Sequence, residues 1–428
     1  MKVFIVAIPL FDANMEVQAY RLRDRNGERL LDVANDFRGR SIAMSTTSPA
    51  LVLLKRLGVE PFAGDKRLFV DVTRLMLMAN ALNDLNIDPA RLIITMPADI
   101  QPDAETLAQF EQMRARGYGI ALDGLPPDEE RSVLMPYVQH LILNYKDRNF
   151  AHWLKTAQYR LLDKTVVITH IPDNDTYAKL GANRNALFTG RFYDQPITQG
   201  ITTISPLKVN ALHLLRQVNE DDFDLQDIAK IIERDPSLSI SLMRFINSDA
   251  VGLKRKVGSI QSAIAILGQQ EVRRWATVAI SVSLAEDRPS EVTKLSLVRA
   301  KFAEGLATAF ELGVFQQSLF MAGLFSLLDV ILQKPMAEAI KEVAVDQRVH
   351  EALVEKSGPL YPVMELIYAY EHAHWDEATI LMVHNNVTVD QLNEAFVEAL
   401  VWYNQLLSSI DGVDTDEIGA AEELPSAE

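Results

Sequence analysis

The 428-residue chain contains no cysteine. Disulfides, thiolate zinc sites and a cysteine nucleophile are therefore excluded, and the composition suits a reducing compartment. No stretch approaches the roughly 20 apolar residues that a spanning helix needs. The start, MKVFIVAIPLFDANMEV, has an apolar run of only about seven residues with an acid soon after, too short for a signal peptide. These absences predict a cytosolic protein without membrane insertion. Basic residues are in deficit, 42 Lys and Arg against 58 Asp and Glu, for a net charge of −16. The last 18 residues, DGVDTDEIGAAEELPSAE, hold seven of those acids and no base. An acidic surface repels phosphate backbones, so no nucleic-acid partner is expected. The tail has the composition of a disordered, solvating segment.

What is there is ordinary for a soluble globular protein: 48% hydrophobic and 23% charged residues. The length suits two or three domains. The first half alternates between strand and helix patterns. Candidate strands are 2–9, 17–22, 41–44, 67–72, 91–96, 117–122, 140–143, 165–169 and 187–192. The clearest helical stretches between them are TRLMLMANALNDL (73–85) and DAETLAQFEQMRARG (103–117), the second with Asp103 as N-cap and Gly117 as stop. Repeated strand–helix units predict parallel strands, in a barrel or an open sheet. No G-x-G-x-x-G or Walker loop follows any strand, which favours the barrel.

Near residue 200 the pattern changes. From Pro206 to about Leu407 almost everything reads helical. LQDIAKIIERDP (225–236) ends at Asp235-Pro236, where Asp235 caps a second helix with Pro236 at its first position. Ser259 can cap a third, IQSAIAILG. Long apolar stretches such as ATVAISVSLA and LFMAGLFSLLDVIL read as the centre of a bundle. The expected organisation is an α/β barrel at 1–197, an all-α bundle at 198–407 and an acidic tail at 408–428.

Several motifs invite a chemical reading and have a simpler one. His372 and His374 in YEHAHWDEA stand two apart, a poor metal pair on a helix, so a structural or surface role is expected. The basic cluster of KRK (254–256) with Arg273 and Arg274 reads as a solvated loop and helix face rather than a phosphate site. The helix pair at 225–247 could pass for a helix-turn-helix; core packing is the better reading for so acidic a chain.

Barrel active sites lie at the C-terminal ends of the strands. Those ends offer Arg21, Asp71, Thr95, Asp123, Asn144 and His170. Magnesium and calcium need several oxygen ligands. Here two carboxylates face a guanidinium, a hydroxyl, an amide and an imidazole, so a two-metal phosphodiesterase site is not expected. The stretch GYGIALDGLPP delivers a single carboxylate, Asp123, from the end of a strand into a Gly-Pro loop.

The residues at this point match a known pattern. The first half resembles an EAL domain, the barrel that hydrolyses cyclic di-GMP, and the second resembles an HDOD domain, a helical relative of HD phosphohydrolases. The resemblance spans roughly residues 1–405. Its carriers are IPLFDANMEVQAYRLR, DLQDIAKIIERDPSLSISLMRFINS, SIQSAIAILGQQEVRRWA, FMAGLFSLLDVIL and HEALVEKSGPLYPVMELIYAYEHAHWD. It implies a degenerate EAL domain. The signature glutamate falls on Arg21, an asparagine ligand on Asp71 and a glutamate ligand on Thr95. The paired aspartates fall on Asp123 and Gly124. The next lysine and aspartate fall on Ile142 and Asn144, a later glutamate on His170, and a Gln-Gly pair on Thr189 and Gly190. The His-Asp pair of catalytic HD domains falls on Ser326 and Leu327, with only Asp329 nearby. The resemblance therefore implies a bacterial signalling protein without hydrolase activity and without a cofactor. It would act on other signalling or motility proteins in cyclic di-GMP-linked control of motility, pili or biofilm. A cyclic di-GMP receptor is the alternative, and a divergent phosphodiesterase the least favoured. Asp123 is expected to pair with Arg21 across the barrel mouth.

Overall fold

A computed structural model describes residues 4–24, 48–83, 85–126, 131–183, 185–195, 206–220, 223–247, 251 and 256–411. The candidate strand at 41–44, residues 254 and 255 of the basic cluster, and most of the acidic tail lie outside the described residues.

Eight strands close into a barrel in chain order. They are β1 (Ile5–Phe11), β2 (Val17–Asp24), β3 (Arg67–Asp71), β4 (Leu92–Pro97), β5 (Gly119–Asp123), β6 (His140–Asn144), β7 (Thr165–Ile171) and β8 (Ala186–Gly190). Seven neighbouring strands, β2 to β8, pair in parallel, as the strand–helix alternation predicts. β1 departs from that expectation and runs antiparallel to both β2 and β8. A tight turn causes the reversal: Asp12 Oδ1 accepts from the backbone N–H groups of Asn14 at 2.8 Å and Glu16 at 3.1 Å. So short a link leaves no room for a crossover helix, and two strands joined this way must be antiparallel. The N-terminal end of β1 therefore lies beside the C-terminal ends of the other strands.

Alternation along the strands decides what faces the barrel interior. Leu10, Ala19, Phe69, Ile93, Ala121, Ile142 and Val167 form the inner core. Two residues further on, in the same phase, stand Arg21, Asp71, Thr95, Asp123, Asn144 and Thr169. The mouth is thus the next layer above a packed apolar plug.

The second half is helical from Pro206–Asn219 to Val389–Asp411. Asp235 ends the Leu225–Arg234 helix and caps Pro236–Ile246, its Oδ1 accepting from Leu238 N–H at 3.1 Å. Ile228, Ala229, Ile232, Leu242 and Ile246 of this pair are buried in the core, which accounts for its apolar spacing. Ser259 caps the Ile260–Leu284 helix, which kinks at Gly268 where φ is 75°. Three helical expectations are corrected. The stretch 73–85 keeps helix only over Arg74–Met78, then turns through Asn80 at φ 54°. LFMAGLFSLLDVIL breaks into Gln316–Phe325 and Leu328–Leu332. The final helix crosses the boundary drawn at 407.

Barrel and bundle share one continuous hydrophobic core. Phe4 packs on Tyr370 and stacks on Trp375. The Tyr370 hydroxyl accepts from Ile5 N–H at 3.2 Å and donates to Ile5 C=O at 2.6 Å, joining a bundle side chain to the buried N-terminal end of β1. Tyr20 donates to Glu291 at 2.7 Å, and Asn404 donates to Pro61 C=O at 3.4 Å. Among the described residues no helix is long and apolar enough to cross a membrane.

Candidate functional site at the barrel mouth and the domain interface

Arg21 sits at the centre of the mouth. Its Nη2 donates to Asp71 Oδ1 at 2.9 Å and to Asp123 Oδ2 at 2.7 Å, and its Nε reaches Asp71 at 3.3 Å. The expected Asp123–Arg21 pair is present, with Asp71 as a third member. The guanidinium is only 4% exposed. Burial alone disfavours its charge, and the two carboxylates outweigh burial, so it stays a fixed cation. A divalent ion placed here would meet that charge and find both carboxylates engaged.

The other strand-end residues complete a shell that is poor in ligands. Thr95 is buried and its hydroxyl has no protein partner. Asn144 turns its Oδ1 back to the N–H of Lys146 at 3.0 Å. His170 is not in phase with the interior residues. Thr169, two residues after Val167, takes the inward position; at His170 itself φ is 62° and the β7–β8 register shifts. The His170 ring keeps one nitrogen 3.0 Å from Thr169 Oγ1. Its pKa is lowered, first by partial burial and then by Arg23, Lys146 and Arg21. Gly124 has φ 107°, a left-handed conformation that an aspartate adopts only under strain. Ile142 is inner core, and a Cβ at Gly190 would run into the backbone of Ile171.

A second arginine dominates the corresponding place in the bundle. Arg299 Nε donates to Glu371 Oε2 at 2.7 Å and its Nη1 to Ser326 Oγ at 3.2 Å. Ser326 donates onward to Gly323 C=O at 2.7 Å. Leu327 is buried among apolar neighbours. Asp329 accepts from Val330 N–H at 2.9 Å, and burial pushes its pKa up to about 6. Arg299 stays charged for the same reason as Arg21, while burial raises the Glu371 carboxyl above its ordinary range.

His372 and His374 do not lie inside one helix, as the sequence suggested. The Tyr361–Glu371 helix ends, the chain turns through Ala373 at φ 57°, and His374 precedes the next helix. The two rings come within 5.8 Å. His372 joins the domains through Asp194, 3.1 Å away, and His374 lies 3.3 Å from Glu377. Arg274 is also corrected: it forks onto Glu304 at 2.8 and 2.9 Å and lies over Phe320, so it is packed rather than solvated. Arg273 donates to Glu220 C=O at 2.7 Å. Among the described residues, no group of three His, Asp or Glu could hold a metal ion.

Sequence reasoning missed Arg299, Glu371, Asp194 and the Tyr20–Glu291 bond. Arg299 carried one signal, a charge within the apolar stretch LSLVRAKFAEGL. The others depend on pairings up to 271 residues apart. Both arginines line one cavity of about 460 Å³ between the mouth and the bundle.

Residues 204–357 match the HDOD domain family. The chain is 27% identical over 428 residues to the uncharacterized protein YuxH of Bacillus subtilis, spanning 96% of this chain and 100% of that one. It is 23% identical over 403 residues to the cyclic di-GMP phosphodiesterase CdgJ of Vibrio cholerae, spanning 93% and 92%. Among solved structures the chain is similar to the EAL enzyme Bd1971 in a cAMP and cyclic di-GMP bound form. That likeness has a TM-score of 0.35 and 12% identity, over 46% of this chain and 62% of the other. The architecture is a closed eight-stranded barrel followed by a helical region in which residues 204–357 match the HDOD domain family.

Proposed function

We propose that the chain is a non-catalytic regulatory protein of bacterial cyclic di-GMP signalling that works by binding another protein. The HDOD match and the relative named a cyclic di-GMP phosphodiesterase support the signalling context. The observation that carries the non-catalytic reading is Arg21 between Asp71 and Asp123. A bound divalent ion needs oxygens free to coordinate. Here the two carboxylates at the mouth already neutralise a buried cation. Arg299 with Ser326 and Glu371 supports the same reading in the bundle. The partner class is a signalling or motility protein, with pili, swimming or biofilm as the output. The test uses the full chain with cyclic di-GMP and Mg²⁺ or Mn²⁺. No pGpG is expected, and affinity capture with mass spectrometry should recover a signalling or motility protein in stoichiometric amount. Hydrolysis to pGpG overturns the reading.

A second reading keeps the barrel as a cyclic di-GMP receptor. Lys146 and Arg191 on the cavity rim favour it, since both can meet phosphate. Calorimetry with the nucleotide and the intact chain decides it: absence of heat at high concentration removes this reading and leaves the first standing.

A further inference from the structure

The cavity between barrel and bundle is more apolar than a nucleotide site requires. Apolar parts of its wall include Ile8 and Pro9 of β1, Leu295 and Val298 of the Ser290–Leu306 helix, and Phe396 and Leu400 of the final helix. Its volume of about 460 Å³ falls within the drug-sized range of roughly 300–1,000 Å³.

The charges around it divide unevenly. Every carboxylate of the lining is engaged. Asp194 holds His372 at 3.1 Å, Glu291 accepts from Tyr20 at 2.7 Å and lies 3.7 Å from Lys294, and Glu371 holds Arg299 at 2.7 Å. The second oxygens of Asp194 and Glu371 are buried and have no hydrogen-bond partner. Two cations on the open edge are not matched in this way. Lys146 and Arg191 are exposed, and neither makes an ion pair with a described residue. The surplus is felt by His170, whose protonation Arg23, Lys146 and Arg21 all oppose after the effect of burial.

We propose that this interdomain cavity binds a small amphipathic anion, an acid with one anionic group on an apolar body. The body would lie against Leu295, Val298, Phe396 and Leu400, and the anionic group would reach Lys146 and Arg191 at the rim. A cationic amphiphile would meet Lys146 and Arg191 at the rim and carboxylates already paired with His372, Tyr20 and Arg299. A small inorganic anion forgoes the apolar walls, and the hydrophobic contribution scales with the area removed from water. A ligand held between the two domains would also bind best when they are docked, coupling occupancy to their arrangement.

The test titrates the intact chain with decanoate by calorimetry, beside decyltrimethylammonium and inorganic sulfate. Decanoate is expected to bind once per chain, with the other two giving no comparable heat. The double variant Lys146→Ala/Arg191→Ala changes two exposed side chains and should keep the melting transition. Its decanoate affinity should fall at least tenfold. Leu295→Trp, which fills the cavity, should remove binding. Three outcomes overturn the proposal: no decanoate binding up to millimolar concentration, equal binding of the cationic amphiphile, or unchanged affinity in the rim double variant.

Discussion

Arg21 and Asp123 meet at 2.7 Å across the barrel mouth, although 102 residues separate them. Asp71 holds the same guanidinium from a third strand at 2.9 Å. The arrangement has the logic of a cation site whose cation is part of the chain. Removing that cation leaves two half-buried carboxylates side by side. Breaking a buried ion pair by deleting one partner costs about 3–5 kcal/mol, and the partial exposure of Asp71 and Asp123 lowers the figure here. Arg21→Met should lower unfolding free energy by about 2–3 kcal/mol, measured by urea denaturation. Adding Asp71→Asn and Asp123→Asn to that variant should recover most of the loss. A triple variant no more stable than Arg21→Met would show that the arginine stabilises by packing alone.

The strand ends were legible in the sequence because period-two alternation is local. Ala19, Phe69, Ile93, Ala121 and Ile142 set the interior phase, and Arg21, Asp71, Thr95, Asp123 and Asn144 follow two residues later. His170 was misplaced for a physical reason. Alternation from Val167 gives the inward position to Thr169, and His170 beside it leaves the regular strand at φ 62°. The reversal of β1 hid in a turn, DANM, that apolar patterning does not register. The bundle was legible as helices because caps such as Asp235 and Ser259 are local too. Its polar centre was not: Arg299, Ser326 and Glu371 come from separate segments, and only the tertiary structure assembles them.

Gly124 bears on whether the lost acid pair can be restored. At φ 107° any side chain is strained, and a Cβ there would come 3.3 Å from the Cβ of Ala98. Holding a non-glycine residue in such a conformation costs about 1–3 kcal/mol. Gly124→Asp should therefore destabilise by about that amount in a thermal or chemical melt, and Mg²⁺ or Mn²⁺ should not raise its melting temperature. A metal-dependent rise would mean that the mouth still accommodates an ion beside Arg21.

Tyr370 ties the bundle to β1 through two hydrogen bonds with one residue, Ile5. The ring also packs against Phe4, Phe302, Trp375 and Phe396. Tyr370→Phe keeps the packing and removes the hydroxyl, leaving a buried N–H and C=O unpartnered by it. The expected loss is about 1–3 kcal/mol. Because barrel and bundle share a core, the variant should still melt in one transition by circular dichroism and calorimetry. Two separated transitions in the wild-type chain would contradict a shared core.

Asp329 gives the bundle a pH dependence of definite sign. Its carboxyl is pushed up to about 6 in the folded protein, against an ordinary value of 3.8, mainly by burial. A carboxyl that holds its proton more tightly when folded stabilises the fold below its ordinary pKa relative to higher pH. That advantage fades as pH rises from about 4 to about 6, and above that window the buried charge is a standing cost. A tenfold gain in proton affinity on folding is equivalent to about 1.4 kcal/mol, so the cost at pH 7 is on the order of 2 kcal/mol once partial exposure is allowed for. Asp329→Asn should remove it. The variant is expected to be more stable than wild type at pH 7 and to lose that advantage at pH 4, with urea midpoints measured across the range. A variant less stable than wild type at pH 7 would show instead that the ionised carboxylate, held by Val330 N–H and by Arg299 nearby, is a net stabilising group.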